Sequence, residues 1–185
     1  MSFNVEKIRN DFPILSRMVN DRPLVYLDNG ASAQKPQVVI DAITKSYSEE
    51  YANVHRGLHF LSNLATDNYE SVRGIISKFL NATSDNNIIL NSGTTEGINL
   101  IAYSWAMPHL KAGDEIILSV MEHHANIIPW HFLRERMGVK LIWVDVDSNG
   151  YLDPDRVTEA ITARTKLVAI THVSNVLGTI VDVKA

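Results

Sequence analysis

The segment SGTTEG at residues 92–97 lies between two short apolar runs, IIL at 88–90 and INLIA at 98–102. This order predicts a strand, a tight turn of small residues and then a helix. The start of a helix leaves backbone N–H groups unpaired and carries a partial positive charge, and Thr94 and Thr95 add hydroxyl donors. These features suit a phosphate group. Threonine and serine are equally typical of an ordinary helix cap, so both interpretations stay open on this motif alone.

Downstream of this segment, apolar strands alternate with amphipathic helices. The sequence predicts strands at 116–118, 140–146 and 167–173, separated by helices at 126–137 and 153–163. The strands are almost continuously apolar, which is typical of parallel strands that are buried on both faces. The alternation therefore predicts an α/β fold with a doubly wound parallel sheet.

The N-terminal part of the chain has a different pattern. Helices are predicted at 5–12, 37–51 and 61–80, because apolar residues recur there at helical spacing. A short strand is predicted at 24–27, and a loop rich in histidine and glycine at 52–60.

Three polar clusters follow predicted strands. They are SGTTEG at 92–97, EHH at 122–124 and HVSN at 172–175. Ligands of parallel sheets bind beyond the carboxyl ends of the strands, so the three clusters are expected to meet there. His123 suits stacking on a flat cofactor, and Asn175 can hydrogen-bond a ring oxygen or a carboxylate. A hydrogen-bonded loop histidine and a plain turn asparagine are the alternatives.

Two N-terminal loops carry further candidate residues. The loop NVHRG at 53–57 contains His55, a residue type suited to proton transfer. The turn DNGAS at 28–32 contains Gly30 and Ala31, whose backbone N–H groups could face a substrate. A solvated loop and an Asx turn are the alternatives for these two segments.

Several classes of site and enzyme have little support. His123 and His124 are adjacent, and adjacent strand residues point to opposite faces, so the pair chelates one metal ion poorly. The chain has no cysteine ligand. It also has neither the Gly-x-Ser-x-Gly elbow of serine hydrolases nor the Gly-x-Gly-x-x-Gly dinucleotide fingerprint. We expect no metal site, with a metal-dependent hydrolase that uses the two histidines as the alternative.

Composition narrows the range of partners. The chain has 185 residues and a formal net charge of −4, without a run of lysine or arginine, so nucleic acid and anionic membrane are not expected partners. No apolar stretch is long enough to span a bilayer, and the N-terminus lacks a secretory leader. A cytoplasmic location is therefore the default expectation. Trp105, Trp130 and Trp143 lie on apolar faces and are expected in the core.

Five motifs occur in order along the chain: YLDNGAS at 26–32, NVHRG at 53–57, GTTEGIN at 93–99, EHHAN at 122–126 and THVSNVLG at 171–178. Together they resemble the N-terminal part of Suf-type cysteine desulfurases. That family belongs to the class V aminotransferases and has the fold type I architecture of pyridoxal-phosphate (PLP) enzymes. The Thr-Thr-Glu turn and the His-Arg-Gly loop resemble the Suf-type branch more than the Isc-type branch.

The resemblance implies a three-layer α/β/α fold with a mainly parallel sheet, as an incomplete large domain of the fold type I PLP-dependent transferase architecture. Residues 1–60 would form an N-terminal arm and small-domain helices with an active-site loop. Residues 61–185 would form part of the PLP-binding large domain. Full-length members would be homodimers that convert L-cysteine to L-alanine, and the sulfur would pass as a persulfide to an acceptor protein of the Suf system for iron–sulfur cluster assembly.

The resemblance also implies how the cofactor, pyridoxal 5′-phosphate, is held. Thr94 and Thr95 would bind its phosphate, His123 would stack on its pyridine ring, and Asn175 would contact the ring hydroxyl. The protonated ring of this cofactor acts as an electron sink.

On the substrate side, the resemblance implies a pocket lined by Asn175, His55, Gly30 and Ala31. The family's Schiff-base lysine, its persulfide cysteine and the aspartate that pairs with the pyridine nitrogen all lie further along the family chain than residue 185. No catalytic residue is therefore assigned, and the 185 residues alone are expected to be inactive. The alternatives are a non-catalytic fragment that docks with a partner and a related PLP lyase such as selenocysteine lyase.

Overall fold

The computed structural model describes residues 3–185. The chain forms two compact units, Met1–Ile89 and Leu90–Ala185. The division predicted at residues 60 and 61 concerns the small and large domains of the family architecture, and it stays a prediction.

Helices account for most of the first unit, and they lie where the sequence predicts them: α1 (Val5–Asn10), α2 (Gln37–Lys45) and α3 (Phe60–Leu80). A π-helical turn, Ser46–Glu50, continues α2. Helix α3 ends where Asn81 adopts the left-handed conformation at φ 55° and ψ 37°, which glycine and asparagine tolerate best.

The strand predicted at 24–27 is wrong. The two-residue strands β1 (Met18–Val19) and β2 (Arg22–Pro23) form an antiparallel hairpin, and the residues after β2 have no regular structure. One more hydrogen bond, from the N–H of Leu24 to the carbonyl of Arg17 at 2.9 Å, extends the hairpin. Beyond it, no described segment pairs with 24–27, and a strand without a partner has no ladder to stabilise it.

The second unit alternates helices with three strands: α4 (Thr94–Ile101), α5 (Met107–His109), β3 (Glu115–Ser119), α6 (Ile128–Met137), β4 (Lys140–Val144), α7 (Pro154–Ala160) and β5 (Thr165–Ala169). A π-helical turn, Ala102–Ala106, joins α4 to α5. The strands are parallel and lie in the order β4-β3-β5. The predicted α/β fold with a parallel sheet is therefore confirmed.

Strand β3 lies at the centre of the core, and all five of its residues are buried. Its side chains alternate between the two faces of the sheet. Ile116 and Leu118 pack with Trp130 of α6 on one face, and Ile117 packs with Leu152 on the other. Residues of α7 border this second cluster. Helices therefore cover both faces of the sheet in three layers.

The neighbours of β3 are less buried than the sequence predicts. Strands β4 and β5 each contain exposed residues, among them Trp143 and Val168. Trp130 is only 2% exposed, whereas Trp105 and Trp143 are 39% and 40% exposed, so only one of these three tryptophans lies in the core. Each flanking strand pairs with β3 alone among the described strands, which leaves its other edge without a neighbour.

The strand predicted at 88–90 is also wrong. These residues have no regular structure, although Ile88 is buried and has extended backbone angles of φ −97° and ψ 118°. Ile89 and Leu90 are exposed. Apolar, extended residues become a strand only through backbone pairing, and no described segment supplies it here.

Candidate functional site

The N-terminus of α4 has free donors and no cap. Gly93 precedes the helix, and no side chain caps it. Within residues 3–185, the N–H groups of Thr94 and Thr95 find no acceptor, as the geometry of a first helical turn dictates. Gly93 has φ 148°, which other residues rarely adopt, and the space that a Cβ would enter is open. A ligand can therefore approach the backbone closely.

The turn before α4 is satisfied by its own side chains. The N–H and the Oγ–H of Ser92 both donate to Oε2 of Glu96, at 2.7 and 2.5 Å. Both bonds lower the pKa of the Glu96 carboxyl from its ordinary value, and the bond from the Ser92 hydroxyl has the larger effect. The N–H of Gly93 donates to Oδ1 of Asn91 at 2.9 Å. The carboxylate of Glu96 is thus turned back onto Ser92, and it does not occupy the first-turn donors of α4.

His123 lies in the segment after β3 and is exposed. Its Nδ1 accepts the N–H of Ala125 at 3.1 Å, so the ring caps the 3-10 turn His124–Asn126. An accepting Nδ1 places the proton of a neutral imidazole on Nε2. The ring of His124 lies edge-on, with the centroids 6.3 Å apart. The imidazole of His123 is therefore anchored at one nitrogen.

The carboxylate of Glu122 joins this turn to the end of β5. Its Oε1 accepts the hydroxyl of Ser119 at 2.5 Å and the N–H of Thr171 at 2.9 Å. Its Oε2 accepts the side-chain amide of Asn126 at 2.8 Å. Ser119 is the last residue of β3, and Thr171 follows β5 closely. One side chain therefore connects both strand ends with the residues around His123.

Asn126 makes a second connection to β5. Its Nδ2 donates to the carbonyl of Ala169, the last residue of β5, at 3.0 Å. Its Oδ1 accepts the indole N–H of Trp130, which is buried in the core, at 2.9 Å. The 3-10 turn is thus fixed to the sheet and to α6 together.

Asn175 lies on a tight turn after β5. The turn is held by Ser174, whose N–H donates to Thr179 and whose carbonyl accepts the N–H of Gly178, at 3.0 and 2.9 Å. The hydroxyl oxygen of Ser174 also accepts the N–H of Leu177 at 3.0 Å. The side chain of Asn175 is exposed, and it makes no hydrogen bond with residues 3–185. The turn does not use its amide, which leaves the amide available to a ligand.

In the second unit, helix α4 and the polar segments after β3 and β5 are connected through the turn His124–Asn126. Helix α4, which begins at Thr94 and Thr95, contacts the turn His124–Asn126. Glu122 and Asn126 connect that turn to the end of β5, from which the chain runs on towards Asn175. His55, Gly30 and Ala31 belong to the first unit.

His55 is held by helix α3. Its φ is 71°, and its N–H donates to Oγ1 of Thr66 at 2.9 Å. Its Nε2 lies 3.1 Å from Oε1 of Glu70, and the ring of Tyr69 packs edge-on at 5.7 Å between centroids. Two residues of α3, Tyr69 and Glu70, therefore orient this imidazole, and Thr66 of the same helix holds its backbone.

Gly30 and Ala31 lie on an exposed turn that Tyr26 braces. The N–H of Ala31 donates to the carbonyl of Asp28 at 3.2 Å, and the phenol of Tyr26 donates to the carbonyl of Ser32 at 2.6 Å. The N–H of Ala31 is thus used within the turn. The N–H of Gly30 has no acceptor in residues 3–185, so it stays available to a ligand.

Sequence reasoning missed Glu122, Asn126 and Glu70 as supports for the two histidines. Glu122 and Asn126 carried a detectable signal, because they flank His123 four residues apart, directly after a buried strand. Glu70 carried none, since it lies in a helix apart from the loop that contains His55.

Neither a membrane-spanning helix nor a metal-binding cluster occurs in residues 3–185. No helix formed by residues 3–185 combines the length and the hydrophobicity that crossing a bilayer requires. Over the same range, no three histidine, cysteine or carboxylate side chains gather in a way that could hold a metal ion.

Comparison with known proteins shows the family. The family model described as Aminotransferase class-V matches residues 25–185. The chain belongs to this family. This class-V aminotransferase chain is 54% identical over 179 residues to the cysteine desulfurase of Salmonella newport (strain SL254). The aligned region covers 97% of this chain and 44% of that relative. The chain thus spans less than half the length of the curated relatives it matches.

Solved structures agree with this assignment. The apo structure of a cysteine desulfurase from Thermococcus onnurineus NA1 matches with a TM-score of 0.88 and 36% identity, over 99% of this chain and 44% of that one. The cysteine desulfurase CsdA from Escherichia coli, in its S-sulfonic acid form, matches with a TM-score of 0.80 and 37% identity, over 98% and 44%. The predicted fold and the resemblance to cysteine desulfurases are confirmed, and the Suf-type branch stays a prediction.

Proposed function

We propose that this class-V aminotransferase chain is the N-terminal part of a PLP-dependent cysteine desulfurase of the Suf type. The whole protein would take sulfur from L-cysteine, leave L-alanine and pass the sulfur to a Suf-system acceptor for iron–sulfur cluster assembly. The observation that carries the proposal is the uncapped start of α4, on a helix that contacts the turn after His123. The 54% identity to a cysteine desulfurase supports the choice of reaction.

The donors at α4 fit the phosphate of PLP. A phosphate monoester accepts hydrogen bonds and is negatively charged, so it suits the N-terminus of a helix. Thr94 and Thr95 offer two backbone N–H groups and two hydroxyls, and Gly93 has no side chain to obstruct an approach. Glu96 bonds Ser92 instead of these donors. We therefore assign the phosphate to Thr94 and Thr95.

His123 and Asn175 would hold the ring. Bound PLP would supply an electron sink for the bond that breaks at the substrate. His123 would stack on the ring, and its Nε2–H would remain available to donate because Nδ1 is engaged with Ala125. The amide of Asn175 would hydrogen-bond the ring hydroxyl and face the substrate.

The first unit would supply the remaining substrate contacts. His55 would face L-cysteine with its ring oriented by Glu70, and the open N–H of Gly30, beside Ala31, would donate to the substrate. A proton on Nε2 of His55 that faces Glu70 leaves Nδ1 as the acceptor. The same proposal includes the domain division at residues 60 and 61, a homodimer of the full-length protein and a cytoplasmic location.

Binding of pyridoxamine 5′-phosphate tests the assignment of the cofactor. This probe lacks an aldehyde, so it does not react with surface lysines. In a calorimetric titration of the 185-residue protein, the double variant Thr94→Val, Thr95→Val should weaken binding at least about tenfold, since it removes two donors to a charged group. Thr158→Val, an exposed threonine of α7, is the matched control. No binding by the wild type, or equal binding by the double variant, would contradict the proposal.

Activity is tested in a chimera. The chain replaces the matching N-terminal segment of the Salmonella newport relative, and L-alanine release from L-cysteine is measured after the chimera has been checked for folding and PLP content. We expect a working enzyme that loses activity about tenfold with His123→Ala, because the cofactor ring would lose a stacking interaction worth about 0.5–1.5 kcal/mol. His124→Ala is the neighbouring control. A folded, PLP-loaded chimera without activity would overturn the assignment of the reaction.

A further inference from the structure

Glu122 contacts both polar segments to which the proposed function assigns the cofactor ring. We propose that Glu122 is a positioning residue that, together with Asn126, holds His123 in place relative to the segment after β5 that carries Asn175. This inference rests on the proposed function. Glu122 itself would contact neither the cofactor nor the substrate, because its two carboxylate oxygens are already occupied by protein donors.

The protein surrounds the Glu122 carboxylate with donors only. They are the hydroxyl of Ser119, the backbone N–H of Thr171 and the side-chain amide of Asn126, at 2.5, 2.9 and 2.8 Å. An ionised carboxylate only accepts hydrogen bonds, so it satisfies all three at once. In the part of the chain that the structure describes, no lysine or arginine lies within ion-pair distance of Glu122. The carboxylate is therefore held by hydrogen bonds.

The fixed orientation of the Asn126 amide requires a hydrogen-bond acceptor at position 122. The indole N–H of Trp130 only donates, so it must face Oδ1 of Asn126, and the carbonyl of Ala169 only accepts, so it must face Nδ2. The amide consequently cannot flip without losing both partners. Its Nδ2 therefore points at Glu122 and requires an acceptor there.

Glutamine at position 122 would have the same shape but the wrong hydrogen-bonding groups. If its oxygen accepts from Ser119 and Thr171, its amide nitrogen faces the amide nitrogen of Asn126. If the amide is turned over, the nitrogen faces the N–H of Thr171 instead. Either arrangement brings two donors together: the first breaks the bond between residues 122 and 126 within the His123 segment, and the second breaks the bond to Thr171 after β5. Glu122→Gln therefore tests the network with little change in volume.

The phosphate site provides an internal reference. Within residues 3–185, no hydrogen bond joins Glu122 or Asn126 to α4, whose first turn would hold the phosphate. If Glu122 positions the residues that hold the cofactor ring, its loss should lower the affinity for pyridoxamine 5′-phosphate and leave the affinity for inorganic phosphate unchanged. A purely structural role predicts that both ligands weaken together as the unit loosens.

The experiment measures both affinities on the 185-residue protein by NMR titration. Glu122→Gln should raise the dissociation constant for pyridoxamine 5′-phosphate about tenfold and leave that for inorganic phosphate within about twofold. The imidazole nitrogen signals of His123 should shift, and the Thr171 amide should exchange with solvent about tenfold faster. Glu135→Gln, an exposed glutamate of α6, is the matched control and should change none of these values.

A second pair of variants keeps the test independent of one substitution. Asn126→Asp places an acceptor against both Glu122 and the carbonyl of Ala169, so alone it should weaken pyridoxamine 5′-phosphate binding like Glu122→Gln. In the double variant that carries Glu122→Gln and Asn126→Asp, the glutamine amide can donate to the aspartate while its oxygen accepts from Ser119 and Thr171. The double variant restores the bond between positions 122 and 126 but not the one to Ala169, so it should bind the probe more tightly than Asn126→Asp alone.

The outcomes separate this inference from the proposed function. A wild type that does not bind pyridoxamine 5′-phosphate overturns the proposed function and the inference with it. A wild type that binds, with Glu122→Gln binding equally well, overturns the inference alone. A parallel loss of both ligands, or the absence of rescue in the double variant, also overturns the positioning role. Selective loss of the ring-containing probe, with rescue, supports it.

Discussion

The two ends of strand β3 are each joined to β5 by one glutamate, but in different ways. At the N-terminal end, the side chain of Glu115 is 3% exposed, and its Oε1 accepts from both Nε and Nη2 of Arg164 at 2.8 Å. The hydroxyl of Thr162 donates to its Oε2 at 2.6 Å. At the C-terminal end, Glu122 is half-buried and is held by a hydroxyl and two N–H donors without a cation.

This difference distinguishes the end of the sheet that an ion pair stabilises from the end to which we assign the ligand. The charge of Glu115 is compensated locally by Arg164. At the opposite end, hydrogen bonds order the backbone while the imidazole of His123 and the amide of Asn175 stay exposed. Ligands of parallel sheets bind at this carboxyl end. Variants at the two ends should therefore affect different properties, namely stability at one end and ligand affinity at the other.

A truncation in the middle of β3 should have the largest effect on stability, because both ends of the sheet depend on this strand. Leu118 is fully buried between the two ends. Leu118→Ala should lower the free energy of unfolding by about 3 kcal/mol, because the core cannot fully refill the cavity. Urea denaturation measures the loss, with Leu58→Ala at a fully exposed leucine as the control. Unchanged stability would show that β3 is not the centre of the core.

Glu115→Gln should lower stability without weakening pyridoxamine 5′-phosphate binding. The substitution removes the negative charge from Arg164 and turns an amide donor towards either Arg164 or Thr162. The urea midpoint should fall by less than in Leu118→Ala, while the dissociation constant stays within about twofold of the wild type. A loss of affinity as large as that of Glu122→Gln would erase the distinction between the two ends.

The stability that Glu115 contributes should disappear in acid. The Thr162 hydroxyl and the Arg164 side chain lower the pKa of Glu115 from its ordinary value of 4.5. A lowered pKa in the folded state means that the contribution is fully present above the ordinary value and is lost as the pH falls through the folded value. The stability difference between wild type and Glu115→Gln, measured from pH 7 downwards, should therefore shrink below about pH 4.5. A difference that is constant with pH would contradict this cause.

The smallest effect is expected from Arg164→Lys. Arg164 presents two N–H groups to one oxygen of Glu115, and lysine keeps the charge but cannot reproduce that fork. Because Arg164 is 62% exposed, water can replace the lost contact. The urea midpoint should fall less than in Glu115→Gln. The stability that the Glu115 carboxylate contributes should still be lost in acid, because lysine keeps the positive charge. A loss as large as in Glu115→Gln would mean that the fork matters more than the charge.

The features that the sequence predicted correctly are local ones. Apolar periodicity placed α3, α6 and β3, whereas the ligand role of the polar segments at 92–97, 122–124 and 172–175 stays a prediction. The strands predicted at 24–27 and 88–90 failed because pairing is a property of two segments, and one segment cannot reveal whether a partner exists. The prediction that Trp143 lies in the core failed for a related reason, since the burial of this side chain depends on what lies beside β4.

The sequence by itself determined that apolar strands alternate with helices in the second unit and that His123 and Asn175 follow two of those strands. Only the tertiary structure decided which strand ends meet. The order β4-β3-β5 brings Thr171 to within hydrogen-bonding distance of Glu122, a residue 49 positions earlier in the chain. Hydrophobic periodicity reports the environment of one segment at a time, whereas a hydrogen bond across the sheet depends on the order in which whole strands assemble.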